Sequence, residues 1–238
     1  MSTLFISDLH LSGERENITE LFIKFLDQRA SKADALYILG DLFEVWPGDD
    51  MIQPDYDSSI TKMKQLADNG LPLFVMQGNR DFLMAEKFTE KSGATLIEDP
   101  TIIDLYGTPT LLMHGDTLCS DDVDYQKFRT MVRDPGWKKD FFAKPKEERL
   151  AMTTKYRKIS KDETAKKNME IMDVNQQTVE AIMSENGINQ LIHGHTHRPA
   201  IHDFSVNGQS KKRIVLGDWF EHGSVLVCDE SGGQLETI

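Results

Sequence analysis

The chain has 238 residues, a formal charge of −12 at neutral pH and 39% hydrophobic residues. That suffices for a buried core in one large domain, or in a domain carrying an inserted unit. Such acidity excludes a general nucleic-acid binder, because most of the surface would repel a polyanion. Cys119 and Cys228 lie far apart and outside any CxxC pattern, which excludes a disulfide framework and points to a reducing cytoplasm. The stretch MSTLFISDLHLSG has no basic region before its apolar run, and Asp8 breaks that run early. Neither signal peptide nor membrane span is expected there, and no other segment approaches the roughly 20 apolar residues of a spanning helix. The expected protein is soluble, or at most rests on a membrane surface.

Short apolar runs bounded by turn residues recur along the chain: TLFIS (3–7), ALYIL (35–39), PLFVM (72–76), PTLLM (109–113) and NQLIH (189–193). Each predicts a buried strand. Segments of helical length, 16–31 and 54–69, separate the first three, and this alternation predicts βαβ units in a layered α/β fold. Residues 121–170 lack strand runs and predict helices broken at Asp134-Pro135-Gly136 and Lys144-Pro145. They hold 14 Lys and Arg against 10 Asp and Glu, whereas the rest of the chain holds 13 against 29. A basic segment on an acidic protein is expected to face an anionic substrate. Beyond it, 199–206, 212–217 and 224–229 predict antiparallel hairpins forming part of a second sheet.

The residues just past each strand carry the chemistry. TLFIS leads into Asp8-Leu9-His10, ALYIL into Gly40-Asp41 and PLFVM, across Gln77, into Gly78-Asn79-Arg80-Asp81. PTLLM leads into His114-Gly115-Asp116, and NQLIH into Gly194-His195-Thr196-His197. Ligands of α/β sheets bind at the carboxyl ends of strands, so these groups can converge although they are distant in sequence. The candidate metal ligands are Asp8, His10, Asp41, Asn79, His114, His195 and His197. Oxygen and imidazole donors without thiolates suit Mn²⁺, Fe or Zn²⁺. Seven donors exceed the needs of one ion and suit two, with Asp41 as the bridging carboxylate. His193, at the strand end, reads as buried support.

The blocks DLH, GD, GNRD, HGD and GHTH resemble the calcineurin-like metallophosphoesterase family and span nearly all of the chain. The resemblance implies a sandwich of two mixed β-sheets flanked by helices, with a two-metal site at one edge. It assigns Asp8, His10 and His197 to one ion, Asn79, His114 and His195 to the other, and Asp41 to both. Many members have histidine after the motif asparagine, where this chain has Arg80. A guanidinium suits two adjacent phosphates, so the departure points from phosphoesters toward a pyrophosphate.

Longer stretches, LGDLFEVWPGDD (39–50), LLMHGDTLCSDDVDYQKFR (111–129) and HGHTHRPAIH (193–202), resemble the branch of UDP-2,3-diacylglucosamine diphosphatases of lipid A assembly in Gram-negative bacteria. This likeness implies residues 1–120 and 171–238 as the core and 121–170 as a helical cap that grips a lipid-linked UDP-sugar. Asp41, Asn79, Arg80 and His114 become the catalytic group. Asn79, Arg80, Asp122, Ser160, Thr164, Lys167 and His195 become substrate contacts, although position 164 is often asparagine in that branch. The expected reaction is Mn²⁺-dependent hydrolysis to UMP and 2,3-diacylglucosamine 1-phosphate, by a metal-bridging hydroxide attacking the α phosphorus. Another nucleotide-sugar pyrophosphatase or a phosphodiesterase on the same metal site is the alternative, since fold and ions do not fix substrate. Trp137, Phe141 and Phe142 beside Lys138 and Lys139 would place aromatic and basic groups at the cytoplasmic face of the inner membrane or pack the cap on the core.

Overall fold

All five apolar runs form strands in the computed structural model, which describes residues 2–164 and 171–238, the stretch 161–164 by backbone alone. Three of the runs, β1 (Thr3–Ile6), β2 (Ala35–Leu39) and β3 (Leu73–Met76), lie parallel in one sheet and are joined by α1 (Glu16–Gln28) and α2 (Asp57–Asp68). After β3 come α3 (Glu86–Ser92), the short parallel strand β4 (Thr95–Ile97) and β5 (Thr101–Leu105). The other two runs, β6 (Thr108–Met113) and β7 (Gln190–His193), pair in parallel in a second sheet.

Three helices stand between β6 and β7 where the insertion was predicted: α4 (Val123–Arg133), α5 (Pro135–Phe142) and α6 (Lys146–Thr164). Asp122 and Asp134 cap α4 and α5, accepting from the N–H groups of Tyr125 at 3.1 Å and Trp137 at 3.0 Å. Each satisfies an end donor that the helix itself cannot pair, and Pro135 starts α5 where no N–H is needed. A further helix, α7 (Gln176–Glu185), leads into β7.

The C-terminal hairpins divide between the sheets. β8 (Ala200–Val206) and β9 (Gln209–Val215) complete the second sheet, in the order β5-β6-β7-β9-β8. β10 (Ser224–Asp229) instead pairs antiparallel with β1, carrying β11 (Gly232–Thr237) to the edge of the first sheet, ordered β11-β10-β1-β2-β3-β4. The expectation of one shared second sheet is corrected for this last pair. Alternation reveals a strand's two faces but not which sheet edge it will join.

Side-chain alternation makes four layers. In β1, Leu4 and Ile6 pack with Phe22, Ile60 and Met63 of the helices, while Phe5 points the other way. Phe5, Leu39 and Met76 meet Leu112, Ile192 and Ile214 between the sheets. Leu111, Met113 and Leu191 face α7 through Val179 and Met183. Each such buried side chain contributes about 1.5–3 kcal/mol.

The insertion is bonded into this body. Phe141 is 1% exposed within the cluster formed by α1, α2 and α3, with Trp137 stacked on it at 5.0 Å and Met152 packed against the same cluster. Its arginines turn inward as well: Arg133 donates to Gly78 O (2.9 Å), and buried Arg149 pairs with Asp50. Part of the basic surplus expected to face substrate is therefore held by the acidic core. Among the described residues, no helix is long and apolar enough to cross a membrane.

Candidate metal centre

The loops after β1, β2, β3, β6 and β7 meet at one edge of the sandwich. The strain there is carried by the polar residues as well as by glycine. Asp8, His10, Asp41, His195 and His197 have φ of 57°, 50°, 52°, 70° and 55°. The left-handed region costs an L-residue on the order of 1–2 kcal/mol, less for Asp. Among the described residues, the only other non-glycine examples, Tyr106 and Asn207, sit before glycine in hairpin turns. Strain gathered on five candidate ligands marks a functional site rather than a folding convenience. Close packing demands glycine at two points: a Cβ on Gly78 would lie 2.1 Å from Asp41 Oδ1, and one on Gly194 2.3 Å from Ser7 Oγ.

Two donor sets form. Asp8, His10 and His197 offer ligand atoms within 4.8 Å of one another, and so do Asp8, Asp41 and His114. Asn79 joins the second set, its Oδ1 lying 2.9 Å from His114 Nε2 and 3.0 Å from His195 Nδ1. Asp41 stands between the two: Oδ2 is 3.7 Å from His10 Nε2 and Oδ1 is 3.8 Å from His114 Nε2. Asp8 reaches both sets, more than the sequence suggested. Its Oδ2 accepts from Ser7 Oγ (2.6 Å) and from the His195 N–H (2.8 Å), which leaves Oδ1 inward, 3.4 Å from His197 Nε2.

Burial and charge set the protonation of these groups when no cation lies between them. Burial alone would raise the Asp8 carboxyl, but the His197 imidazole 3.4 Å away and the other imidazoles around it hold it far below the carboxylate range. Burial pulls His10 down to about 4 against Asp41 and Asp8, and burial together with His114 pulls His195 to about 4. Burial also opposes charge on His114 and His197, yet Asp41 and Asp116 raise the first to about 9, and Asp218 and Asp8 raise the second to about 10. Carboxylates and imidazoles thus crowd one small volume, while Asp8 Oδ1 and both His10 nitrogens remain buried without hydrogen-bond partners. Orphaned buried atoms such as Asp8 Oδ1 and His10 Nε2 fit divalent cations, which would satisfy them by coordination.

Several residues outside the predicted set complete the site. Buried Asp81 accepts from the N–H of Gly78 (2.7 Å) and Phe43 (3.2 Å), fastening the loop after β3 to the loop after β2. Buried Asp116 accepts from Tyr125 OH (2.6 Å) and Arg129 Nε (2.7 Å) of α4. Asp218 lies 3.3 Å from His197 Nδ1. A signal for Asp218 existed: Gly217-Asp218 comes after β9 as Gly40-Asp41 comes after β2. His193 is fully buried, with Nδ1 2.8 Å from Gly194 O and Nε2 3.2 Å from Arg213 Nη1, as support rather than ligand.

The expected substrate contacts are placed unevenly. Arg80 lies beside Asp41, its backbone N–H donating to Oδ1 at 2.8 Å, and its guanidinium joins no ion pair among the described residues. Asp122 caps α4, and Ser160 lies half-buried on α6. Thr164 ends α6 with its side chain outside the described residues, and Lys167 lies outside them altogether.

Known proteins share this pattern. Residues 1–199 match the calcineurin-like phosphoesterase family. A UDP-2,3-diacylglucosamine hydrolase of Vibrio parahaemolyticus is 50% identical over 99% of this chain and 98% of its own. Proteins of the same name from Stenotrophomonas maltophilia and Photobacterium profundum are 46% and 48% identical, over 100% of this chain and 99% and 97% of theirs. A solved archaeal phosphodiesterase covers 100% of both chains at 12% identity with a TM-score of 0.49, too distant a likeness to bear on activity. With the motif blocks at the strand ends and a family match across most of its length, the chain belongs to the calcineurin-like phosphoesterases.

Proposed function

We propose that this protein hydrolyses the pyrophosphate bond of UDP-2,3-diacylglucosamine, giving UMP and 2,3-diacylglucosamine 1-phosphate for lipid A assembly. The observation that carries the reading is the meeting of two donor sets at the two oxygens of Asp41. Full-length relatives of that name support the choice of substrate. Asp8, His10, Asp41 and His197 would hold one cation, and Asp8, Asp41, Asn79, His114 and His195 the other. Two divalent ions held there, Mn²⁺ in our reading, would supply charge neutralisation for the attacked phosphoryl group and lower the pKa of water.

The chain's own groups divide the remaining work. Asp41, fixed by the Arg80 N–H, keeps the two halves of the site in register. Asn79 and His195 would contact the phosphoryl group at the second cation, which His114, anchored through Nδ1 on the Leu39 carbonyl, would help to hold. The guanidinium of Arg80, outside any ion pair among the described residues, offsets charge growing on the bridging and departing oxygens. The phosphorus nearer uridine is the one attacked, and the sugar phosphate leaves in line. That leaving group is stable as an anion, so no general acid is needed, which fits arginine where many relatives of the wider family have histidine.

Residues 121–170 act as the cap, with Asp122, Ser160, Thr164 and Lys167 contacting the sugar and phosphate. Val123, Met131, Phe142, Leu150, Ile159 and Ile171 are exposed large apolar side chains in or next to this segment, which suits acyl chains and peripheral contact with the cytoplasmic face of the inner membrane. Trp137 and Phe141, packed inward, are not part of that surface. The test is product analysis with Mn²⁺ and UDP-2,3-diacylglucosamine in ¹⁸O-labelled water. Label is expected in UMP; label in the lipid phosphate refutes the direction of attack, and no hydrolysis refutes the function.

A further inference from the structure

Three histidines of the centre share an orientation, with Nδ1 beside a support and Nε2 turned inward. His114 Nδ1 lies 2.9 Å from the Leu39 carbonyl, His197 Nδ1 3.3 Å from Asp218 and His10 Nδ1 3.1 Å from Glu44 Oε2. The first two supports belong to the sandwich alone. Glu44 differs, because its other oxygen, Oε1, is ion-paired with Arg157 of α6, in the insertion. Glu44 is also pinned on the core side, where its backbone N–H donates to Leu11 O at 3.0 Å, next to the His10 turn. One carboxylate therefore touches both a candidate ligand and a cap helix.

The geometry points to Glu44 as a positioning residue that aims His10 Nε2 at the metal centre and serves as the latch joining α6 to that centre. The inference rests on the reading of Asp8, His10, Asp41 and His197 as ligands. A carboxylate on Nδ1 fixes the tautomer, the ring orientation and the basicity of Nε2, and losing such a partner costs roughly 10–100-fold in metal affinity. The Glu44 oxygen is close to Nδ1 but off the ring's N–H axis. A modest rotation of the imidazole would align it, and that same rotation moves Nε2. Arg157, on the opposite oxygen, fixes where Glu44 stands, so a shift of α6 reaches His10 through one side chain. An ordinary ion pair this exposed would add little to stability and would leave the metal site indifferent.

Mn²⁺ titration of the metal-free full chain, monitored by calorimetry, tests both levels. Wild type binding no Mn²⁺ would overturn the ligand reading itself. If wild type binds, Glu44→Gln is expected to weaken Mn²⁺ binding by roughly 10–100-fold, while the melting temperature of the metal-free protein stays within about 2 °C. A change below threefold, or a loss matched by a fall in melting temperature, overturns the positioning role. Arg157→Ala is then combined with Glu44→Gln. The latch requires Arg157→Ala to alter Mn²⁺ affinity at least threefold in the wild-type background and to have no effect in the Glu44→Gln background. Equal effects in both backgrounds, or none in either, overturn the link to α6.

Discussion

Arg80→Ala is the sharpest test of the chemistry, because the structure separates its possible effects. The Arg80 N–H that fixes Asp41 at 2.8 Å belongs to the backbone and survives the substitution. The guanidinium enters no ion pair among the described residues, and its Nε is buried without a hydrogen-bond partner, so truncation breaks no bond among them. On the proposed function, the loss is a fixed positive charge beside the reacting phosphates. A unit charge at about 4 Å and an effective dielectric near 20 contributes on the order of 4 kcal/mol. Loss of one preorganised donor to developing charge typically costs about 10²–10³-fold in kcat, and a fall of that size is expected here, with Mn²⁺ content and melting temperature unchanged. Lysine should restore part of the rate as a point charge without the fork, and histidine should not, since proton donation is not the deficit. UMP release at saturating Mn²⁺, with metal analysis of the same samples, reads all of this. A loss below tenfold, a loss that tracks missing Mn²⁺, or histidine outperforming lysine would refute the reasoning.

Other consequences are open to measurement. Asp41→Ala should abolish turnover and remove tight binding of both ions rather than one, and a variant retaining two tight Mn²⁺ sites would contradict its place between the donor sets. In the metal-free protein His197 and His114 stand at about 10 and about 9, above the ordinary 6.5. Their contribution to stability is full below pH 6.5 and is lost as pH rises through 9 to 10. The same protons must leave when Mn²⁺ binds, so calorimetry near neutral pH in buffers of different ionisation enthalpy should detect proton release, and none would count against these ligands. Phe141→Ala should destabilise the fold by about 3–5 kcal/mol in a denaturant titration, because the ring is 1% exposed. Phe142→Ser with Leu150→Ser should instead spare stability and reduce co-sedimentation with anionic vesicles; unchanged binding would remove the exposed apolar surface from the membrane reading.

The strands and the candidate donors are legible along the chain because both are local patterns. TLFIS or ALYIL announces a buried strand within a few residues, and the Asp, His and Asn donors come after such runs beside turn-permitting glycines. Pairing is not local. Nothing in SVLVCD distinguishes a strand that joins β1 from one that joins β8, and the choice rests on contacts between opposite ends of the chain. The supports of the site escaped for the same reason. Asp81, Asp116 and Asp218 follow strands as the donors do, but that they serve as supports, and that Glu44 has any role, shows only when folding brings Gly78, Tyr125, His197 and His10 to them. The insertion shows the division most clearly. Composition revealed its basic surplus, but only the packed structure decided that Arg133, Arg149 and Arg157 turn inward, because a half-buried acidic group such as Glu44 has no sequence period to betray which cation will neutralise it.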